Sequence, residues 1–209
     1  MDKLTKTPIL IAVAVIFHLI GFVGIGILHN EMVSSLTPFH LLLMFALLLL
    51  SYKDDFRNFI GWVGIAYLYG LGMEAAGVNT GLLFGRYSYG DALGIKAAGV
   101  PLLIGVNWVL VVAGAYAIAC KINTKPLINS ALTAAIATGY DWVLEPVAVK
   151  LNYWQWEGGV IPVYNYVCWF GVSMLIGSYA NKAQIIPNKF SLWLFIIQLL
   201  FFILLRIVL

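Results

Sequence analysis

The sequence predicts an all-α fold, a polytopic membrane bundle of about seven transmembrane helices. Of its 209 residues, 62% are hydrophobic and 10% are charged, and the mean hydropathy is +0.95. Soluble domains are about 45–50% apolar and about 25% charged, so the surplus apolar surface requires lipid as part of the solvent. This composition excludes a cytosolic enzyme, a disulfide-rich secreted domain and a nucleic-acid-binding protein.

Seven segments are apolar and long enough to cross the hydrocarbon core, which takes about 20 residues per helix. In the second segment the dense apolar part begins at Pro38. Proline suits a first helical turn, so Ser34, Ser35 or Thr37 is expected to start that helix. Because the spans use most of the chain, we expect a single integral membrane domain over residues 1–209. In chain order the spans are residues 8–28, 33–52, 56–78, 99–121, 126–149, 159–181 and 190–209.

The distribution of Lys and Arg predicts an inside N-terminus, since cytoplasmic segments are enriched in these residues. Each inner segment holds two of them, and the outer loop between the first two spans holds none. An odd number of spans then places the C-terminus outside. The inner residues are Lys3, Lys6, Lys53, Arg57, Lys121, Lys125, Lys182 and Lys189, against Arg86, Lys96, Lys150 and Arg206 outside.

Two predicted outer loops, residues 79–98 and 150–158, combine Gly, Tyr and Trp with single charges. An aromatic belt at the membrane interface explains Trp154 and Trp156. It does not explain Arg86, Asp91 and Lys96, which gain nothing from headgroup depth. These loops are therefore expected to shape a pocket.

Polar residues inside the spans gather beneath these two loops. At about 1.5 Å of rise per residue, Glu74 and Glu145 lie roughly 6 Å and Asp141 roughly 12 Å below the outer boundary. Asn107 and Asn165 reach similar depths from the same side. An ionisable residue in hydrocarbon costs at least about 2.5 kcal/mol and usually faces a partner or a cavity. A functional site is therefore predicted in the outer half of the membrane.

Asp141 and Glu145 are four residues apart and share one helix face. Two carboxyl groups in a low dielectric cannot both ionise easily, so one is expected to stay protonated and serve as a general acid. Pro146 removes a donor to the carbonyl of Trp142 and is expected to kink or end the helix. The alternative is structural: Asp141, Glu145 or Glu74 forms an ion pair with Arg86 or Lys96 that holds the loop down.

Residues 84–108 and 141–170 resemble the integral-membrane carotenoid hydratases of the CruF type. These include bacterial γ-carotene and lycopene 1,2-hydratases and the bisanhydrobacterioruberin hydratases of haloarchaea. Ile161-Pro162-Val163 departs from the Gly-Val-Pro expected before Asn165, which leaves the carotenoid open. The matching positions are Phe84, Gly85, Tyr87, Tyr89, Asp91, Leu93, Gly94, Gly99, Val100, Pro101, Asp141, Glu145, Pro146, Val147, Ala148, Tyr153, Trp154, Trp156, Asn165 and Trp169.

The resemblance implies addition of water across the terminal 1,2 double bond of an acyclic ψ end group, in the cytoplasmic membrane of a prokaryote. The carotenoid would enter from the bilayer. Hydration involves no redox change, so no cofactor and no metal are expected. The candidate catalytic residues are Asp141, Glu145, Glu74 and Asp91. The candidate substrate-binding residues are Arg86, Tyr87, Tyr89, Lys96, Asn107, Trp142, Trp154, Trp156 and Asn165.

Two other functions remain open, and two more are disfavoured by the sequence. A carotenoid end-group cyclase begins with the same protonation but leaves the product mass unchanged, and a membrane transporter of a hydrophobic molecule yields no product. A retinal protein needs a lysine deep in a helix, and residues 190–209 contain none. A prenyltransferase needs two Asp-rich motifs, whereas Asp54-Asp55 stands alone.

Overall fold

The computed structural model describes residues 3–52 and 56–209, and its architecture is a bundle of α-helices. The predicted all-α fold is confirmed. Lys53, Asp54 and Asp55, considered above for orientation and for prenyl transfer, lie outside the described residues. The helices are α1 (Lys3–Gly21), α2 (Glu31–Ser35), α3 (Thr37–Ser51), α4 (Phe56–Thr80), α5 (Leu103–Ile122), α6 (Pro126–Lys150), α7 (Val163–Lys182) and α8 (Lys189–Val208).

The longer helices coincide with the predicted spans, with small differences at their ends. The helix α1 continues into a π-helical turn, Phe22–Ile27, and the short α2 was not predicted. The helix α3 begins at Thr37 with Pro38 in its first turn, although Leu36 and not a hydroxyl residue occupies the capping position. The side chain of Asn30 caps α2 by accepting a hydrogen bond from the backbone N–H of Val33 at 3.2 Å.

Four helices are long and apolar enough to cross a membrane, judged by length and composition over the described residues. They are Lys6–Ile27, Phe56–Thr80, Leu103–Ile122 and Lys189–Val208. The helix α3 has 15 residues, about 22 Å. The helices α6 and α7 have buried polar side chains, among them Asp141, Glu145 and Asn165. The count of seven crossings therefore remains a prediction, as does the orientation.

The helix α5 forms the centre of the bundle and packs against α3, α4, α6, α7 and α8. Small residues allow the closest approaches. A Cβ atom on Gly114 would lie 2.4 Å from the Cβ atom of Phe195 in α8, and one on Gly70 would lie 2.4 Å from the ring of Trp108. The first turns of α5 are thereby held against α4 at the end of the bundle where the acidic side chains lie.

Pro146 does not end its helix, contrary to one of the two expectations, because α6 continues to Lys150. The missing donor is replaced from another helix. The carbonyl oxygen of Trp142, which would pair with an N–H at position 146, accepts a hydrogen bond from Nη1 of Arg206 at 3.0 Å. The same guanidinium lies 4.4 Å from the centre of the Trp142 ring. The helix α8 thus stabilises α6 beside the acidic residues.

The two Gly- and aromatic-rich loops pair with each other through short strands. Strand β1 (Tyr87–Tyr89) is antiparallel to β4 (Trp154–Trp156), and β2 (Lys96–Ala97) is antiparallel to β3 (Val100–Pro101). The backbone N–H of Gly90 donates to the carbonyl of Tyr153 at 3.0 Å. Gly90 cannot be replaced without a shift, because a Cβ atom there would lie 2.2 Å from the carbonyl oxygen of Asn152.

Candidate functional site

Three buried carboxyl side chains line one small cavity at the end of the bundle that carries the paired loops. Glu74 comes from the last third of α4, and Asp141 and Glu145 come from α6. All three are at most 5% exposed. The cavity has a volume of about 20 Å³, which is room for about one water molecule. We call these three side chains the carboxyl cluster.

Glu74 accepts three hydrogen bonds from aromatic side chains. The hydroxyl groups of Tyr87 and Tyr89 both donate to Oε2, the latter at 2.9 Å, and the indole N–H of Trp108 donates to Oε1 at 3.0 Å. Both oxygens of Glu74 are therefore occupied by donors. Such an arrangement suits a carboxylate, which can only accept.

Glu145 is held in the same way. The indole N–H groups of Trp154 and Trp156 donate to its Oε2 at 3.0 and 2.9 Å. The side-chain amide of Asn165 donates to its Oε1 at 3.2 Å. Glu145 thus also has three donors on its two oxygens.

Asp141 differs from both glutamates. Its Oδ2 accepts a hydrogen bond from the amide of Asn165 at 2.8 Å, while its Oδ1 is buried and has no partner among the described residues. Asn165 therefore bridges Asp141 and Glu145 through one amide group. Oδ1 of Asp141 accepts no hydrogen bond, so it is the oxygen of the cluster that is best placed to carry a proton.

The strand pairing sets the positions of the aromatic donors. Tyr87 lies opposite Trp156, and Tyr89 lies opposite Trp154. Side chains alternate across a strand, so these four rings share the face toward the cluster, whereas Ser88 and Gln155 between them are exposed. The two loops therefore act as one unit that supplies four of the donors.

Further aromatic rings complete the wall of the small cavity. Trp108 and Trp169 stack with ring centres 3.9 Å apart, and Phe84 and Trp169 both line the cavity. Phe84 is 1% exposed and has a positive φ of 62°, which is unusual for a residue with a side chain. Its backbone N–H donates to the sulfur of Cys168 at 3.3 Å, which fixes the turn.

A larger cavity of about 300 Å³ lies beside the carboxyl cluster, between α1, α3, α5, α6 and α8. Its walls are mostly apolar, with Phe17, Ile20, Phe39, Phe201 and Phe202 among the lining residues. Asn107 lines both this cavity and the small one. An apolar cavity of this size is typical of a site for a hydrophobic small molecule.

Four predicted site residues lie away from the carboxyl cluster. Asp91 is solvent-exposed and bonds to Lys96 at 2.7 Å, and this contact lowers the pKa of the Asp91 carboxyl below its usual value. Lys96 also donates to the carbonyl of Tyr89 at 2.8 Å. Arg86 pairs with the exposed Glu157 at 3.7 Å. Trp142 is 56% exposed and contacts Arg206.

These positions correct the expectations for all four residues, because none of them lines the small cavity; Arg86 and Lys96 instead form ion pairs within the loops. Asp91 does not reach the cluster because Lys96 holds it at the surface. Trp142 cannot present its ring to the cavity because α6 turns it outward, on a different face from Asp141. The ion-pair alternative also fails, since Arg86 and Lys96 pair with Glu157 and Asp91 and not with the buried carboxyl groups. The remaining predicted residues, Glu74, Tyr87, Tyr89, Asn107, Asp141, Glu145, Trp154, Trp156 and Asn165, all line the small cavity.

Sequence reasoning missed Trp108 and Trp169 as members of the site. Trp108 follows Asn107 directly and lies at a similar depth. Its indole N–H could therefore have been predicted as a second polar group at that depth. The strands were also missed, although Tyr-Ser-Tyr and Trp-Gln-Trp show the period-two alternation of a strand. In residues 3–52 and 56–209, no group of three or more His, Cys, Asp or Glu is arranged to hold a metal ion.

Comparison with known proteins gives two matches. The model of a family described as carotenoid biosynthesis protein matches residues 33–209. The bisanhydrobacterioruberin hydratase of Haloarcula japonica is 33% identical over 121 residues, which is 54% of this chain and 40% of that protein. The chain thus aligns with less than half the length of this relative. No solved structure matches the chain.

Proposed function

The chain belongs to the carotenoid biosynthesis protein family, and from this premise we propose that it is a carotenoid hydratase. It adds water across the terminal 1,2 double bond of an acyclic ψ end group and gives a tertiary alcohol. The observation that carries the proposal is the uneven occupation of the carboxyl cluster. Two carboxyl groups receive three donors each, and the third has a buried oxygen with no partner among the described residues. The hydratase named above, similar over about half of this chain, supports the same reaction class.

Asp141 is the proton donor in this mechanism. An isolated alkene is a weak base, so its protonation needs an acid held in place and shielded from water. Oδ1 of Asp141 gives its proton to the less substituted carbon of the double bond, and the π electrons form the new C–H bond. A tertiary cation remains at the other carbon, and Asp141 becomes a carboxylate.

Glu145 is the base that receives a proton from water. The small cavity has room for about one water molecule, bordered by Glu145, Glu74 and Asn165. Water forms the C–O bond to the cation and loses one proton to Glu145. That proton returns to Asp141 before the next turnover, so the net reaction consumes one water and leaves both acids unchanged.

Aromatic rings stabilise the cation without trapping it. Tyr87, Trp154, Trp156 and Trp169 border the small cavity, and a desolvated ring face contributes about 2 kcal/mol toward a cation. The apolar part of the carotenoid end group occupies the large cavity, whose lining shares Asn107 with that of the small one. A carotenoid is insoluble in water, so it enters this cavity from the membrane.

The test is expression in a bacterium that accumulates lycopene, followed by mass spectrometry of the pigments. The wild-type chain is expected to add the mass of one water per modified end. Asp141→Asn keeps an oxygen for Asn165 but cannot give a proton, so alcohol formation should fall by about 10²–10⁴-fold or more with an equal amount of protein in the membrane. Glu157→Gln, which removes an exposed carboxylate instead, should keep full activity.

Three outcomes contradict the proposal. A product of unchanged mass but altered absorption indicates cyclisation. Unmodified lycopene, in cells whose membranes contain the protein, excludes hydration of this end group. Full activity of Asp141→Asn removes Asp141 from its role.

A further inference from the structure

We infer that Asn107 is a specificity-determining residue, whose side-chain amide holds the water molecule that captures the cation. Asn107 thereby decides whether the product is an alcohol or a hydrocarbon of unchanged mass. This inference rests on the proposed function and deepens it, because it concerns the fate of the cation and not the protonation that forms it.

Most polar side chains around the small cavity already bond to one another. The side-chain amide of Asn165 donates to both Asp141 and Glu145, and the indole of Trp169 can only donate. The hydroxyl and indole donors that bond to the two glutamates are those of Tyr87, Tyr89, Trp154 and Trp156.

Asn107 differs from these side chains. Its amide forms no hydrogen bond with any residue that the structure describes. Asn107 is half-buried, and its two polar atoms are not enclosed, in contrast to Oδ1 of Asp141. Among the described neutral side chains that line the small cavity, Asn107 therefore offers both a donor and an acceptor that are not yet used.

Such an amide suits a water molecule that attacks a cation. The water must turn one lone pair toward the cation, so its hydrogens need acceptors on other sides. Glu145 accepts the hydrogen that is transferred, and Oδ1 of Asn107 can accept the second one. A neutral amide is a far weaker base than a carboxylate, so Asn107 holds the water without taking the proton that Asp141 delivers.

The start of α5 is held in place by close packing against α4. A Cβ atom on Gly105 would lie 2.6 Å from the ring of Tyr67, and Trp108 donates to Glu74 at 3.0 Å. Asn107 lies between these two contacts. It belongs to the linings of both cavities, so its amide stands between the water and the apolar end group.

The cation has two fates that a held water separates. In hydration, water forms the C–O bond and loses one proton to Glu145. Without a held water, the cation loses a proton from an adjacent carbon to Glu145 and re-forms a double bond, or a neighbouring double bond closes a ring before that proton is lost. The products of the second kind are hydrocarbons with the mass of the substrate.

The test replaces Asn107 with leucine, which has a similar size but cannot hold water. Membranes that contain equal amounts of wild type or Asn107→Leu are incubated with lycopene, and chromatography with mass spectrometry separates alcohol from hydrocarbon products. The ratio of new hydrocarbon to alcohol should rise by about tenfold or more in the variant. A merely structural role would lower both products together and leave the ratio unchanged.

Two further variants complete the comparison. Asn107→Ser keeps a donor and an acceptor, so alcohol should remain its main product. The matched control is Asn58→Leu, the same replacement at an exposed position in the first turn of α4, about 24 Å along the helix from Glu74. It should keep both the rate and the ratio of the wild type. Where Asn107→Leu does not accumulate in membranes, Asn107→Val gives the same comparison.

The outcomes separate this inference from the proposed function. An unchanged ratio in Asn107→Leu or Asn107→Val, with a wild type that makes alcohol, overturns the role of Asn107 and leaves the hydratase standing. An Asn107→Ser variant that behaves like Asn107→Leu overturns it as well. A wild type that makes neither alcohol nor new hydrocarbon contradicts the proposed function, and the inference with it.

Discussion

At the scale of single residues, the three groups of the carboxyl cluster differ in the number of hydrogen-bond donors that each receives. Glu74 and Glu145 each receive three N–H or O–H donors, whereas Asp141 receives one. The donors stabilise negative charge on the glutamates. Ionised neighbours in turn oppose ionisation of Asp141. In the proposed mechanism, this pattern makes Asp141 the acid and Glu145 the base.

Trp156→Phe is expected to lower the rate of hydration about 10- to 100-fold. Phenylalanine keeps a ring against Tyr87 but removes one N–H from Glu145, and a hydrogen bond to a charged group contributes about 1.5–3 kcal/mol. The measurement is the initial rate of alcohol formation in membranes. Trp193→Phe, at the opposite end of the bundle beside Lys189, is the matched control and should keep the wild-type rate. An unaffected Trp156→Phe would show that this bond does not support the base.

The same scale shows what the sequence could reveal about the site. Glu74, Asp141, Glu145, Asn107 and Asn165 were predicted from depth alone, because a polar side chain within an apolar span has few alternatives to a shared cavity. Asp91 and Trp142 were misplaced because depth does not give direction. Asp91 has a basic neighbour five residues away, and Trp142 faces outward by its angular position on α6.

At the scale of elements, hydropathy located every long helix to within a few residues, since burial in lipid requires an unbroken apolar run. It gave no indication of α2 or of strands β1 and β4. The two strands depend on pairing between loops separated by more than 60 residues, and hydropathy does not report such pairing. The alternation in Tyr-Ser-Tyr and Trp-Gln-Trp was present but lay between Gly-rich turns, which favour a loop interpretation.

The bond between Arg206 and the Trp142 carbonyl gives a prediction that couples α6 and α8. Arg206→Leu leaves the carbonyl freed by Pro146 without its donor and should lower the free energy of unfolding by about 1 kcal/mol. In a Pro146→Ala background, residue 146 supplies its own N–H to that carbonyl. In that background, Arg206→Leu should lower the free energy of unfolding by clearly less than it does in the wild type. Denaturation in detergent of the wild type, the two single variants and the double variant measures the coupling energy between Arg206 and Pro146. An equal loss of unfolding free energy in both backgrounds would contradict this explanation of the hydrogen bond.

At the scale of the whole molecule, both cavities lie at one end of the bundle, at the ends of α4, α6 and α8 and the beginnings of α5 and α7. Polar loops cover that end, while apolar residues such as Leu68, Val167 and Leu175 cover the outside of the bundle. Under the proposed function, we expect water to reach the site from the loops and a hydrophobic substrate to reach it from the sides.

The orientation of the bundle is tested by cysteine labelling. After Cys120 and Cys168 are replaced with serine, a single cysteine is placed at Ser88 or at Thr124, both exposed positions. The positive-inside pattern predicts that a membrane-impermeant maleimide labels Ser88→Cys in intact cells. It should label Thr124→Cys only after permeabilisation. The reverse result would place the two paired loops in the cytoplasm.

The hydrogen bond from Asn165 to one oxygen of Asp141 has a stereochemical consequence. If turnover takes place in heavy water, the carbon that is protonated receives one deuterium and becomes chiral solely through its isotopes. In the proposed mechanism, the other oxygen of Asp141 delivers the label, and it does so from a fixed direction. The deuterated alcohol should therefore be a single enantiomer at that carbon, as NMR with a chiral auxiliary can measure. A racemic product would mean that the olefin rotates freely before it reacts.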